Sequence, residues 1–160
     1  MQTIEDHIIV RATPENVFDL SQDYNLRLEW DPFIRDIKFL NGATKVNVGV
    51  QVWVRAWTGL TMTVEYITLK RPNVVAMKML SGPKFFCSFS GSWRFEPHST
   101  FDTEVTFKYA FDIRWKSLAW LLNPIIKLVF HRDIIGRLKG LKHGVEQKKL
   151  ITKLNSKAVV

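Results

Sequence analysis

From residue 34 to residue 114 apolar and polar side chains alternate with a period of two, and every run ends in a turn signal. That pattern admits little except consecutive strands of an antiparallel sheet. Residues 34–40 form the first run, closed by the tight-turn pair Asn41-Gly42. In residues 48–57, Val50, Val52 and Val54 oppose Gln51, Trp53, Arg55 and Trp57, and Gly59 turns the chain. In residues 60–69, Leu60, Met62, Val64 and Tyr66 oppose Thr61, Thr63 and Glu65; Lys70-Arg71-Pro72-Asn73 follows as a turn. Residues 74–80 are the next strand. Residues 85–96 alternate Phe85, Cys87, Phe89, Gly91, Trp93 and Phe95 against Phe86, Ser88, Ser90, Ser92 and Arg94. Residues 101–114 set Val105, Phe107, Tyr109, Phe111 and Ile113 against Glu104, Thr106, Lys108 and Asp112.

The flanking segments are different. Residues 3–11 read as a further strand. Thr13-Pro14-Glu15 then supplies a hydroxyl cap, a proline at the first helical position and an acid in the first turn. A second short helix over 24–30 ends at Asp31-Pro32, because proline excludes helical geometry from the residue before it. Residues 123–153 read as one long helix, with Asn123 as cap and Pro124 in its first position. Hairpins followed by a lone helix give an α+β layer architecture.

The long helix carries two irregularities. At about 100° per residue, Ile134, Leu138, Leu141 and Val145 share one face, whereas Leu122, Ile125, Ile126 and Val129 lie roughly opposite. A kink near His131–Asp133, or a second partner for the first half, is therefore expected. Gly136, Gly140 and Gly144 recur every four residues. They either let the helix approach its neighbours closely or leave room for a ligand. The charge is also localised. Ten of the 23 Lys/Arg and only two of the 15 Asp/Glu fall between Lys116 and Lys157, so this segment alone accounts for the net charge of +8. Such a face keeps a protein solvated or attracts anionic surfaces.

Several classes are excluded or disfavoured. At 160 residues with no linker or repeat, 1–160 reads as a single domain. Cys87 is the lone cysteine, expected as a small core hydrophobe, and no disulfide or cysteine metal cage follows from it. The apolar run over 118–130 is interrupted and too short for a membrane span, and the start lacks a signal-peptide pattern. A cytoplasmic setting is expected. The four histidines, His7, His98, His131 and His143, form no catalytic or metal-ligand spacing, and no cofactor motif is present. The aromatics alternate within strands and are not interleaved with the bases, so nucleic acid is not an expected partner.

Three stretches carry a family resemblance. Ala12-Thr13-Pro14-Glu15-Asn16-Val17-Phe18 after a first strand and Trp30-Asp31-Pro32-Phe33 look like the opening of START-like (SRPBCC) proteins, in the polyketide cyclase/dehydrase and lipid-transport branch. Asn123-Pro124, then residues 138–146 (LKGLKHGVE), resemble that branch's final helix. The resemblance implies a helix-grip fold: a seven-stranded, curved antiparallel sheet wrapped round a long C-terminal helix, with two short helices after strand 1. It also implies a cavity for hydrophobic ligands. The superfamily holds carriers, receptors and aromatic cyclases, so membership alone leaves function open.

The expected function is accordingly binding, as carrier or sensor, of a hydrophobic lipid-like or polyketide-like molecule between sheet and helix. One alternative is a cyclase or dehydratase that uses Arg55 among tryptophans, with Tyr109 as acid–base partner. Another is an interaction module with a filled cavity. Two orientations of the 48–57 strand stay open. Either Trp53, Arg55 and Trp57 face the cavity, or they face solvent while the valines point inward. Ligand contacts are expected from Trp53, Arg55, Trp57, Met62, Met77, Phe89, Trp93, Tyr109, Phe111, Val129, Gly136 and Gly140. Trp30 and Pro32 are expected to anchor the helix pair. The basic helix is expected to touch anionic membranes, and the protein to be a monomer or weak homodimer.

Overall fold

Each alternating run forms a strand because it has one apolar face to bury. In a computed structural model, which describes residues 1–115, 117 and 119–157, seven strands form one antiparallel sheet. Lys116 and Leu118, part of the charge cluster and of the apolar run, lie outside the described residues. The strands are β1 (Gln2–Val10), β2 (Ile34–Phe39), β3 (Gln51–Ala56), β4 (Thr61–Lys70), β5 (Val74–Ser81), β6 (Phe86–Pro97) and β7 (Thr103–Ile113). Their spatial order is β1-β7-β6-β5-β4-β3-β2. The chain thus starts at one edge, crosses to the other through α1 (Pro14–Gln22) and α2 (Tyr24–Trp30), and returns as a meander. The curved sheet and the C-terminal helix α3 (Ala119–Glu146) make a helix-grip fold.

β7 obeys its pattern throughout: Thr103, Val105, Phe107, Tyr109, Phe111 and Ile113 are buried and the intervening residues are not. β6 departs from its pattern at one point. A register irregularity against β7 between Phe86 and Ser88 puts both Phe86 and Phe89 inside. Cys87 is therefore exposed, where a core position was expected. The bulge supplies the extra residue that shifts the alternation. β3 begins at Gln51, later than the expected strand, because residues 41–48 form a loop before Gly49 and Val50 hydrogen-bond across to Tyr66. Asn41 and Gly42 both take positive φ at its first turn. At α1, Thr13 occupies the cap position but its hydroxyl makes no capping hydrogen bond; only its carbonyl accepts, from the Val17 N–H. Asp23 does cap α2, accepting from the Asn25 and Leu26 amides.

The C-terminal helix also differs from expectation. It starts at Ala119, so Pro124 lies inside it, and it ends at Glu146; a separate α4 (Lys148–Lys157) follows. Ile134, Leu138, Leu141 and Val145 are buried as expected. The first half does not acquire the helix pair as a second partner on its outer side: Trp120, Leu121, Ile125, Leu128 and Val129 remain exposed. On its inner side Phe130 lies 5.0–5.9 Å, centroid to centroid, from the rings of Phe86, Phe89, Tyr109 and Phe111.

The glycines bring α3 against the end of α2. A Cβ on Gly140 would overlap the Trp30 carbonyl oxygen and sit 3.1 Å from Pro32 Cδ; one on Gly144 would lie 3.0 Å from Trp30 Cβ. On Gly136 it would meet only Pro32, at 3.6 Å. Trp30 and Pro32 thus occupy the surface that the glycines expose.

A buried ion cluster locks the same contact. The fully buried Asp31 Oδ2 accepts from Arg27 Nε at 2.8 Å and from Arg137 Nη2 at 2.9 Å. Its Oδ1 accepts from the Phe33 amide at 3.1 Å. Burial by itself would raise this carboxyl, but the charges of Arg137 and Arg27 hold it below the usual carboxylate range. Asp31 therefore stabilises the fold fully above the unfolded carboxylate value of about 3.9. That contribution disappears as pH falls through the lower folded value.

Two stability predictions follow from these contacts. Gly140→Ala should destabilise the protein by about 1–3 kcal/mol through overpacking. Gly136→Ala, at an ordinary contact distance, should be neutral or stabilising by up to about 1 kcal/mol; urea denaturation separates them. Asp31→Asn should cost about 3–5 kcal/mol at neutral pH, since two buried cations lose their counter-ion. The variant should also show a shallower loss of stability than the parent below about pH 4, read from the same denaturation curves across pH.

Candidate functional site

The inward faces of β3 to β7 do not meet α3 everywhere, and two adjoining cavities remain. The inner one, of about 50 Å³, is walled by β-sheet residues including Val54, Met62, Met77, Phe89, Trp93, Phe107 and Tyr109, and by Tyr24, Arg27, Phe33 and Arg137. The outer one, of about 150 Å³, lies under the first half of α3. Its walls include Ala56, Leu60, Phe85, Phe86, Ile125, Val129 and Phe130. Phe33, Met62 and Phe89 border both. A more open groove beside them runs along Trp57, Thr58, Arg132, Asp133 and Gly136. The outer cavity is almost wholly apolar, whereas the inner one has a polar wall made by α2, α3 and β7.

That wall is an ordered network. Arg137 donates from Nη1 to the Tyr109 hydroxyl at 2.8 Å and from Nη2 to Asp31. Its guanidinium also lies 4.6–5.5 Å over the rings of Phe107, Phe33 and Trp93. Arg27 donates to Asp31 and to the Ser21 carbonyl, and stacks 4.6 Å over Trp30. Beside them runs a hydroxyl chain. Gln22 Oε1 can only accept, so Tyr66 donates to it, at 3.2 Å, and the Tyr24 hydroxyl donates to Tyr66. Burial raises the Tyr66 phenol well above its ordinary value, with a further push from Tyr24. Burial likewise raises Tyr109, against the opposing pull of Arg137. These phenols are therefore neutral hydrogen-bonding groups.

The expected contact residues divide into four groups. Met62, Met77, Phe89, Trp93 and Tyr109 line the inner cavity. Val129 borders the outer cavity and the groove, and Trp57 and Gly136 border the groove. Phe111 is buried in the ring cluster around Phe130, and Gly140 lies against the Trp30 carbonyl; neither borders a cavity described above. Trp53 and Arg55 are on the outer face. Val52, Val54 and Ala56 are the buried residues of β3, so alternation turns Arg55 outward, half exposed, 3.6 Å from Asp36. Trp53 lies beside Lys38, whose Nζ is 5.4 Å from the ring. The cavity role expected of Arg55 has no geometry to support it, and Tyr109 is partnered by Arg137 instead.

Two cavity residues, Arg27 and Arg137, and the buried Asp31 that pairs with both had not been singled out as site residues from the sequence. A signal existed for each. Arg27 and Asp31 stand four apart at the end of α2, the spacing of a helical ion pair. Arg137 falls about 60° from Ile134 at helical periodicity, inside the arc of the buried stripe. A basic residue within an apolar arc marks a buried partner.

Asp133, half-buried at the groove, hydrogen-bonds to Trp57; its carboxyl is raised by burial despite that bond. All four histidines are exposed. Among the described residues no three His, Cys, Asp or Glu side chains are grouped to hold a metal ion.

No curated protein matches the sequence. Solved structures do match the fold. The Zhui aromatase/cyclase from Streptomyces sp. R1128 is similar with a TM-score of 0.77 at 17% identity, over 92% of this chain and 94% of that one. The protein XoxI from Bacillus cereus gives 0.75 at 15% identity, over 93% and 99%. A START superfamily protein from Mycobacterium smegmatis gives 0.73 at 14%, over 91% and 97%. At these identities the likeness is one of fold. The sequence pattern of a family described as polyketide cyclase / dehydrase and lipid transport covers residues 1–146, and the chain belongs to that family.

Proposed function

We propose that the protein binds a hydrophobic small molecule as a carrier or sensor, in the adjoining cavities between sheet and α3. The observation that carries this reading is the outer cavity: about 150 Å³ walled by apolar side chains between sheet and α3, open to solvent beside the exposed Leu60, Ile125 and Val129. Native cores leave few voids larger than a water molecule. A persistent apolar one gains free energy when an apolar ligand enters it. The family name and the START superfamily neighbour agree with this reading. The cyclase alternative loses its proposed arginine, because Arg55 faces solvent.

Loading would take place at an anionic membrane. Leu128 is 65% exposed and Trp120 76%, next to Leu121, Ile125 and Val129 on the open side of α3. Lys127 and Arg132 are exposed on the same segment, and no acid occurs between Arg114 and Arg132. Ile125 and Val129 belong both to this surface and to the outer cavity wall. Apolar side chains with flanking bases suit the interfacial zone of an anionic bilayer. Among the described residues no helix is long and apolar enough to cross one.

Two measurements check these readings. Native mass spectrometry and calorimetry with decan-1-ol should detect one bound lipophile. Ala56→Leu, which narrows the outer cavity, should weaken uptake several-fold, and Arg55→Ala should leave it unchanged; no uptake of any lipophile by the parent protein removes the carrier reading. In sedimentation assays the protein should bind phosphatidylserine-containing vesicles more than pure phosphatidylcholine. Binding should fall as salt rises from about 0.1 M to about 1 M, where the screening length shrinks from about 10 Å to about 3 Å. Trp120→Ala combined with Leu128→Ala should abolish it.

A further inference from the structure

The inner cavity has a surplus of positive charge and of donors. Two buried arginines, Arg27 and Arg137, line it, and one buried carboxylate, Asp31, pairs with both from outside the lining. Cation–π contacts with Trp30, Trp93, Phe33 and Phe107 offset part of the excess charge but supply no hydrogen-bond acceptor. The buried Arg137 Nε has no partner, nor has the indole N–H of Trp93, which also borders the cavity. The Tyr109 hydroxyl accepts from Arg137, and no acceptor is found for its own proton among the described residues. Three donors on one wall are thus unspent, where nearly all buried polar groups are normally paired. Asp133 does not answer them: it borders the groove and the outer cavity and is bonded to Trp57.

Size and polarity then divide the two cavities by function. The inner one, at about 50 Å³, admits a compact group of a few heavy atoms. The outer one, three times larger and apolar, admits a chain or a ring. Resting on the cavity reading above, we infer that the ligand is a hydrophobic carboxylic acid, its carboxylate seated in the inner cavity against Arg137, Tyr109 and Trp93 and its apolar body in the outer one. A carboxylate supplies one negative charge, which balances the excess cation, and lone pairs for all three donors. An amine would add to the excess charge. An alcohol would leave that charge unbalanced and bring one more donor. The apolar body can be an aliphatic chain or a fused aromatic ring, and the shared chemistry is the carboxylate.

The test is head-group selectivity of the unmodified full chain, measured by calorimetry at pH 7. Decanoate, decan-1-ol and decylamine form one series, and 2-naphthoate and 2-naphthol a second that separates aliphatic from aromatic bodies. At least one acid should bind ten-fold or more tighter than its alcohol, and decylamine weakest of its series. Arg137→Met should reduce that preference to about two-fold or less while decan-1-ol binding persists; if this variant does not fold, the parent selectivity decides alone. Equal or tighter binding of the alcohols in both series overturns the carboxylate assignment and leaves the cavity reading standing. Binding of none of the five probes overturns both.

Discussion

A single carboxylate ties together the parts that the sheet alone would leave separate. Asp31 is wholly buried, and its Oδ2 receives one arginine from its own helix and one from α3. Removing a lone charge from water costs several kcal/mol, and only charged partners with hydrogen bonds to match make that burial tolerable. The geometry is correspondingly tight: Pro32 follows immediately, and glycines on α3 admit the chain at this point and nowhere else along the helix. The position of α3 over the sheet, and hence the cavity between them, depends on this contact. An apolar pair of the same shape could hold the helices together as strongly. The polar version adds charges at the cavity wall, so the fold's fastening and the site's chemistry are one set of atoms.

Sequence and structure agree best where burial has a simple period. β7 follows its two-residue alternation without exception, and the downstream stripe of α3 follows its helical one. The family signature at both ends of the chain pointed to the same architecture. Departures cluster where local and long-range effects compete. Cys87 was misplaced because a bulge adds one residue, so the facing before it is reversed while Phe89, Gly91, Trp93 and Phe95 after it point inward as expected. Pro124 looked like a helix start, yet the preceding turn is helical as well and carries it inside. The facing of β3 could not be decided from alternation alone, since valines and tryptophans are both plausible interior residues. The structure resolves it by burying Val52, Val54 and Ala56. The polar wall was hidden for a different reason. Arg137 stands 106 residues from Asp31 in sequence, and charged residues read by default as surface.

Family membership sets the scaffold and leaves the chemistry to the wall residues. In this chain the wall is asymmetric. Its phenols are kept neutral by burial, its arginines are charged, and its β-strand side is aromatic and methionine-bearing. Methionines such as Met62 and Met77 adapt to different apolar shapes, while the arginine end is fixed by its ion pairs. Shape tolerance at one end and chemical selectivity at the other suit recognition of a class of compounds sharing one group.

The strand order has a consequence for the newborn chain. β1 is made before the other strands of this sheet and its only strand partner in it is β7, with Gln2 opposite Phe111. During synthesis at about 5–20 residues per second, β1 waits on the order of ten seconds without the strand that will pair with it. Ile4, Ile8 and Val10 are presented to the cell through that interval. The last hairpin is therefore also the step that seals the first strand.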